Sequence, residues 1–417
     1  MRQRRTILML IPHLGMGGAQ RVLFDHSVAF AAHFDVQEAG FNVADGHFFH
    51  SGNPVNDLAV GPAPGPIAKV AAFARRIQRV RQLKRRLFVD LTISHLEGAH
   101  YVNLLGKAGD KTILVIHGSL LHDQELGPIK GFIIRRLLVP ILHNRADRIV
   151  TVSRELVDEL ATLGVRRDKI VTINNFFDPA AIRTRSLEPL SVEEQAMFDG
   201  PPVLVTSGRL ALQKNHVALV ALFAQLLKRR PARLVLIGDG ELRQPLIDQA
   251  RSLGLRVAEG PAGEADVYFL GFQDNPFRLQ PHADLFVRPS GWEGFPMVLG
   301  EAMACGLPIV SSDCPTGPRE FLAPDTLGSD STMPSVRPLR AAETGAYGML
   351  MPIPAVGDQA TLDPWVETLD RLLGDPAERA RLSAVSLARA EDFSREKVGP
   401  QWFALINGLL AAPVTSA

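Results

Sequence analysis

Ser290-Gly291-Trp292-Glu293-Gly294-Phe295-Pro296-Met297-Val298-Leu299-Gly300-Glu301 sets two carboxylates eight positions apart across a Gly/Pro turn and a helix start. Proline is tolerated in a first helical turn and glycine ends helices, so Pro296 and Gly306 bracket a helix predicted over 297–305. Glu293 then belongs to the loop and Glu301 to the helix. Free amides and the helix dipole favour an anion such as a phosphate at the amino end. Glu301, about a turn further in, can accept hydrogen bonds from a diol such as a ribose. A capped surface helix with one solvated glutamate is the plain alternative for any two glutamates so spaced, and the flanking residues decide between the two.

Asp284-Leu285-Phe286-Val287-Arg288-Pro289 precedes the run, Ala302-Met303-Ala304-Cys305-Gly306-Leu307-Pro308-Ile309-Val310 follows it, and Asp313-Cys314-Pro315-Thr316-Gly317-Pro318-Arg319-Glu320 comes next. These read as strand, loop, helix, strand, loop, the repeating unit of a doubly wound α/β sheet. The alternation occurs twice. Strands are predicted at 6–12, 89–94, 112–116, 148–152 and 169–173, and again at 202–207, 232–237, 267–270, 285–287 and 308–311. The fold class is α/β, with two Rossmann-like doubly wound domains facing a cleft. The first domain spans 1–178 and the second 202–392, with a polar, Pro- and Glu-rich linker at 179–201. A terminal helix at 393–417 is expected to return to the first domain. Ligands of such sheets gather at the carboxyl ends of strands.

At 417 residues, 46% hydrophobic and 21% charged, the chain can bury two cores. The formal net charge of +1 leaves no global basic field for nucleic acid, although 1–199 carries +5 and 200–417 carries −4. Cys305 and Cys314 are the only cysteines and stand in no metal-ligand spacing, so neither a disulfide framework nor a thiolate metal site is expected and a reducing cytoplasm fits. The apolar stretch after the basic head stops at Pro12, too short for an export signal. No run of about eighteen apolar residues could span a membrane, so any membrane contact is expected to be peripheral.

With seven residues between Glu293 and Glu301, the stretch resembles family four of the retaining glycosyltransferases, the group 1 type of GT-B architecture. Phe295-Pro296 and the 314–320 segment look most like bacterial surface-polysaccharide transferases. The resemblance implies transfer of a hexose or N-acetylhexosamine from a nucleotide diphosphate sugar, UDP-linked by preference, to a glycan or polyprenyl-linked acceptor. It implies no cofactor and no metal, and no Asp-x-Asp pair for a divalent ion occurs in the chain. Protein cations then have to balance the leaving diphosphate.

The resemblance assigns Glu293, Arg209, Lys214 and His117 to the catalytic set. Arg209 and Lys214, in Ser207-Gly208-Arg209-Leu210-Ala211-Leu212-Gln213-Lys214-Asn215-His216, would clamp the diphosphate, as a planar fork and a point charge. Glu293 would orient the donor sugar's hydroxyls, with double displacement as the mechanistic alternative. His117 falls near the donor sugar and acceptor, although a histidine capping a strand is as common. Donor binding falls to Gly17, Gly18, Arg209, Lys214, Asp239, Phe272, Gly294, Phe295, Met297, Val298 and Glu301. Gly17 and Gly18 follow the first strand, where glycines let backbone approach a diphosphate. Asp239 lies in Gly238-Asp239-Gly240, where tight turning is explanation enough, and Phe272 contributes backbone near the base. Asn175 and Asp178 correspond to the hinge or cleft, yet such residues also simply make turns.

The 73–87 segment puts Phe73, Ile77, Val80, Leu83 and Leu87 on one helical face among seven basic residues, and 129–142 mixes Lys130, Arg135 and Arg136 with Ile, Leu and Val. Both suggest peripheral contact with an anionic membrane, on the inner face of the plasma membrane, or equally two helices packed on a sheet. Residues 323–343 read as an extra loop. A nucleotide-sugar 2-epimerase and a catalytically silent binding protein of the same fold are the rival readings.

Overall fold

The computed structural model describes residues 4–122, 127–327 and 338–411. It divides into two units, Met1–Phe177 with Arg395–Ala417, and Asp178–Ser394. Each is built on one twisted sheet flanked by helices.

The first unit holds β1 (Thr6–Ile11), β2 (Asp35–Gly40), β3 (Val55–Asp57), β4 (Leu91–His95), β5 (Lys111–Ile116), β6 (Arg148–Thr151) and β7 (Ile170–Thr172). They pair in the order 3-2-1-4-5-6-7, parallel throughout. β1 is buried along its whole length, as a strand covered on both faces requires, and so reads as an unbroken apolar run. Strand order reverses between β1 and β4. Leu8, Leu10 and Phe41 form a core with Val80 and Leu83 of the helix Pro66–Arg86, and Phe73, Ile77 and Leu87 pack against it. The apolar face of 73–87 is therefore spent on the unit's own core, which corrects its reading as a membrane face. Lys84, on the same helix, is itself buried, bonded to Asp110 at 2.9 Å and Asn103 Oδ1 at 2.6 Å. The terminal helix Arg395–Ala411 belongs to this unit, with Trp402 against His26 and Phe30.

The second unit holds β8 (Val203–Ser207), β9 (Arg233–Ile237), β10 (Val257–Ala258), β11 (Val267–Phe269), β12 (Leu285–Arg288), β13 (Ile309–Ser312), β14 (Glu343–Gly345) and β15 (Gly348–Met351). Their order is 10-11-9-8-12-13-15-14, parallel except for the final β14–β15 hairpin. Here the reversal falls between β8 and β12. A core from Leu204, Phe223, Leu236 and Trp365 fills one face, and Trp365 donates its indole N–H to the Pro352 carbonyl at 2.8 Å.

The segment 179–201 is not a linker. It folds into the helices Pro179–Ser186 and Val192–Phe198, the second opened by a capping box between Ser191 and Glu194. Glu194 also accepts both guanidinium branches of Arg278 at 2.5 Å, which ties the helix to the second unit. Polar composition was the misleading signal, because these polar groups are caps and ion-pair partners. Of the expected loop 323–343, residues 328–337 lie outside the described residues.

Glu194→Ala removes a cap and the partner of the half-buried Arg278. It should lower stability by about 2 kcal/mol, seen as a lower urea midpoint. A true linker residue would leave the midpoint unchanged.

Candidate functional site

The reversal between β8 and β12 brings together the loop after β8, with Gly208 to His216, and the loop after β12, with Pro289 to Pro296. This is where an open α/β sheet presents a ligand crevice. Glu293 is the centre of the site, 5% exposed. Its Oε2 accepts from Lys214 Nζ at 2.8 Å. Its Oε1 accepts from Arg288 Nη2 at 2.9 Å, Arg288 Nε at 3.1 Å and Ser290 Oγ at 2.7 Å. Burial alone would raise its pKa, but the charges of Lys214 and Arg288 outweigh it and bring the group down to about 2. It is a carboxylate at any working pH. Burial in turn pulls the Lys214 ammonium down against the opposing pull of Glu293.

Lys214 and Glu293 are thus direct partners. Arg209 is not part of that group: it is 65% exposed and pairs with Glu241 at 3.1 Å. Arg209 and Lys214, the two cations of the expected diphosphate clamp, each already pair with a carboxylate, because this loop and its neighbours also bring acids to the crevice. Arg288, with 2% of its side chain exposed, was missed by the sequence reading. It donates to the Ser207 carbonyl at 2.9 Å as well as to Glu293. A lone arginine ending a strand of buried apolar residues was the available signal. Ser290, Glu241 and the fully buried His216 were missed with it. His216 follows Lys214 and Asn215; burial and the charges of Arg288 and Lys214 lower it to about 3.

The other loops of the second unit close around this centre. Gly238 has φ +134°, and a Cβ there would stand 2.1 Å from the Gly208 carbonyl oxygen, so the loop carrying Asp239 can only approach the loop carrying Arg209 through glycine. Asp239 is exposed; its carbonyl accepts from the Leu210 amide at 2.9 Å and its Oδ1 from the Gly240 amide at 2.8 Å. The Gly238 amide donates to Gly271 at 2.8 Å, which sets the exposed Phe272 beside the same loop. Gly294 is buried and its carbonyl lies close to Gly317. Phe295 turns into an aromatic cluster, 4.4 Å from Phe321 and 5.4 Å from Phe393, so its ring is core and only its backbone borders the site. Met297 and Val298 open the helix Met297–Ala304, half-buried, and among the described residues neither amide has a backbone acceptor. Glu301 sits half-buried one turn on.

In the first unit, Gly17 precedes and Gly18 begins the helix Gly18–Ala31 after β1. A Cβ on Gly18 would meet nothing within 4 Å. His117, just after β5, is half-buried and hydrogen-bonded through Nε2 to His95 Nδ1 at 2.8 Å; burial lowers it to about 3. Asn175 is buried, whereas Asp178 is exposed and caps the helix Pro179–Ser186 by accepting from the Ala181 amide at 2.8 Å, an ordinary turn role. On the 128–142 stretch, Ile129 is 78%, Phe132 61%, Leu137 49% and Ile141 55% exposed, with Lys130 and Arg136 exposed among them. No helix of the described residues is long and apolar enough to cross a membrane.

Two family models match the chain: Glycosyltransferase Family 4 over residues 16–181 and Glycosyl transferases group 1 over 189–329. An uncharacterised glycosyltransferase of Methanocaldococcus jannaschii is 28% identical over 81% of this chain and 84% of its own. The N-acetylgalactosamine-N,N'-diacetylbacillosaminyl-diphospho-undecaprenol 4-alpha-N-acetylgalactosaminyltransferase of Campylobacter jejuni is 25% identical over 77% of this chain and 84% of its own. Anabaena HepE, solved in complex with UDP and glucose, is similar in fold, with a TM-score of 0.73 at 20% identity over 96% of this chain and 99% of its own.

Arg288→Met leaves Glu293 buried with one charged partner fewer, and should destabilise by about 3–5 kcal/mol in urea unfolding. Because the folded pKa of Glu293 is depressed, the stability it contributes is full above the ordinary value of 4.5 and is lost as pH falls toward about 2. Glu293→Gln should therefore flatten the acid limb of the stability curve; an unchanged limb would refute the assignment.

Proposed function

The chain belongs to glycosyltransferase family 4, the group 1 enzymes of GT-B type that act on nucleotide sugars, and from that premise we propose metal-independent, retaining transfer from a UDP-hexose or UDP-N-acetylhexosamine to a polyprenyl-linked glycan. The observation that carries this reading is the Lys214–Glu293–Arg288 group, set at the sheet reversal just before the first-turn amides of Met297 and Val298. A diphosphate docked on those amides would meet Lys214 at once, and the ammonium can shift from Glu293 to the leaving oxygen as charge develops there. Arg209, already exposed, would turn from Glu241 to the same phosphates. Glu301 would take the ribose hydroxyls.

Glu293 orients the donor sugar's hydroxyls in this scheme. With three donors on Oε1 and an ammonium on Oε2, it has little free lone-pair density for covalent attack, which favours front-face transfer. The departing phosphate oxygen then takes the acceptor's proton as the new glycosidic bond forms on the face the diphosphate leaves. The UDP named in the HepE complex and the diphospho-undecaprenol in the name of the Campylobacter relative support the donor and acceptor classes. The exposed apolar residues of 128–142, interleaved with Lys130 and Arg136, suit an anionic lipid surface carrying such an acceptor.

Lys214→Ala should lower turnover by two or more orders of magnitude, about 3 kcal/mol in barrier, while EDTA leaves the wild type unaffected. Loss of activity in EDTA, restored by Mn²⁺, would refute the metal-independent scheme. Glu301→Gln should weaken UDP binding by about 1–3 kcal/mol in calorimetry, whereas Glu293→Gln should spare UDP affinity and abolish transfer. Release of an epimerised sugar without acceptor would establish the 2-epimerase instead. For the surface, the protein should co-sediment with phosphatidylglycerol vesicles at low salt, and the double change Phe132→Ser, Leu137→Ser should abolish this without altering UDP affinity.

A further inference from the structure

β4 and β5 are parallel neighbours, with His95 of β4 paired in register with Val115, so their carboxyl ends carry His95 and His117 side by side. His95 Nδ1 and His117 Nε2 are 2.8 Å apart, the rings are tilted by only 24°, and their centroids are 5.0 Å apart. The centroid separation exceeds the N···N separation by about two ring radii. Both nitrogens therefore lie between the rings, along their lone-pair directions, in a short in-plane hydrogen bond. Burial and neighbouring histidines hold both imidazoles well below their ordinary range, so the pair is neutral and shares a single proton across this contact.

Which ring owns that proton is decided at the far side of His95. His95 is fully buried, and among the described residues its Nε2 has no hydrogen-bond partner. His26 packs on this ring at 5.9 Å, and is itself packed on Phe176 at 5.0 Å and Trp402 at 4.7 Å. If His117 donated, His95 would have to carry its proton on Nε2, an orphaned N–H inside the protein. If His95 donates, Nε2 is a bare lone pair. Buried orphan donors are the rarer fault, and under-satisfied acceptors are better tolerated. We propose that His95 is a positioning residue, donating from Nδ1 to His117 Nε2 and thereby fixing His117 as the Nδ1–H tautomer, a hydrogen-bond donor and not a base.

The consequence is a neutral donor offered to an oxygen, of the transferred sugar or its phosphate. That destination rests on the glycosyl-transfer reading above; the tautomer does not. No proton changes hands at His117, in keeping with a scheme in which the leaving phosphate takes the acceptor's proton.

Long-range ¹H–¹⁵N correlation spectra of the full-length labelled chain test the assignment, with the His117 ring identified by its loss in His117→Asn. The expected pattern is a protonated Nδ1 and an unprotonated Nε2; the reverse overturns the proposal. His95→Asn keeps an amide donor near the position of Nδ1 and should retain both the tautomer and turnover. His95→Leu should let His117 redistribute between tautomers and lower kcat for UDP release, from the best substrate of a UDP-hexose panel, by about tenfold with little change in KM. An undisturbed Nδ1–H tautomer in His95→Leu would overturn the positioning role. A redistributed tautomer with unchanged kcat would leave the tautomer assignment standing and remove His117 from the transfer site. Should His95→Leu fail to fold, the wild-type and His95→Asn spectra still decide the tautomer.

Discussion

The second unit is organised around one buried carboxylate. Taking an ion such as Glu293 out of water costs several kcal/mol, and the cost is offset only if charges and hydrogen bonds surround it. Those groups arrive from separate segments: Lys214 from the loop after β8, Arg288 from the end of β12, Ser290 from the turn beyond it. Bonds between the same loops reinforce the arrangement, Gln213 Nε2 to the Trp292 carbonyl at 2.9 Å and the Gly291 amide to the Gln213 carbonyl at 2.9 Å. The loop of Gly238 and Gly240 lies directly on the backbone of the first of these loops, where a Cβ would stand 2.1 Å from the Gly208 carbonyl oxygen and 2.5 Å from that of Leu210, so it approaches only without side chains.

The first unit takes the opposite course at the carboxyl ends of its central strands. There Glu97 is held by the Tyr101 hydroxyl and the His143 ring, while His95 and His117 at the ends of β4 and β5 stay neutral through burial. A neutral imidazole donor suits a sugar oxygen, which needs directional hydrogen bonds and no compensating charge. Cations suit a diphosphate. The unequal electrostatics of the two units thus match the sugar and the diphosphate of the proposed transfer.

Much of this was legible in the sequence. Strands buried on both faces, such as β1 and β8, are unbroken β-branched and aliphatic runs that no helix period explains, and Glu293 and Glu301 declare themselves by their spacing around Pro296. What escaped was whatever depends on a partner far along the chain. β3 and β14 are three-residue edge strands with no periodicity to detect. Arg288 looks like the polar end of a strand until Glu293 folds back on it. Glu241 gives no hint that it will occupy Arg209. The 179–201 segment carries the polar composition of a linker, because a capping box and an ion pair use the same residues as a solvated loop.

The two amphipathic segments show the limit of periodicity most plainly. Phe73, Ile77, Val80, Leu83 and Leu87 follow the α-helical repeat closely, and that regular stripe is the one that packs on the core. In the other stretch, Ile129, Ile133, Leu137 and Ile141 are spaced by four, which in an α-helix of 3.6 residues per turn would wind steadily off one face. The chain there passes from the α-helix Pro128–Ile133 through a π-helical turn at Ile134–Leu138 into the helix Val139–Leu142, and all four of these apolar side chains are exposed. The less regular of the two apolar patterns is thus the one left open, so periodicity alone does not tell a covered face from an uncovered one. Arg135, inside the π turn, donates to the Leu120 carbonyl at 3.0 Å, three residues beyond His117, and so ties this exposed stretch to the segment that follows β5.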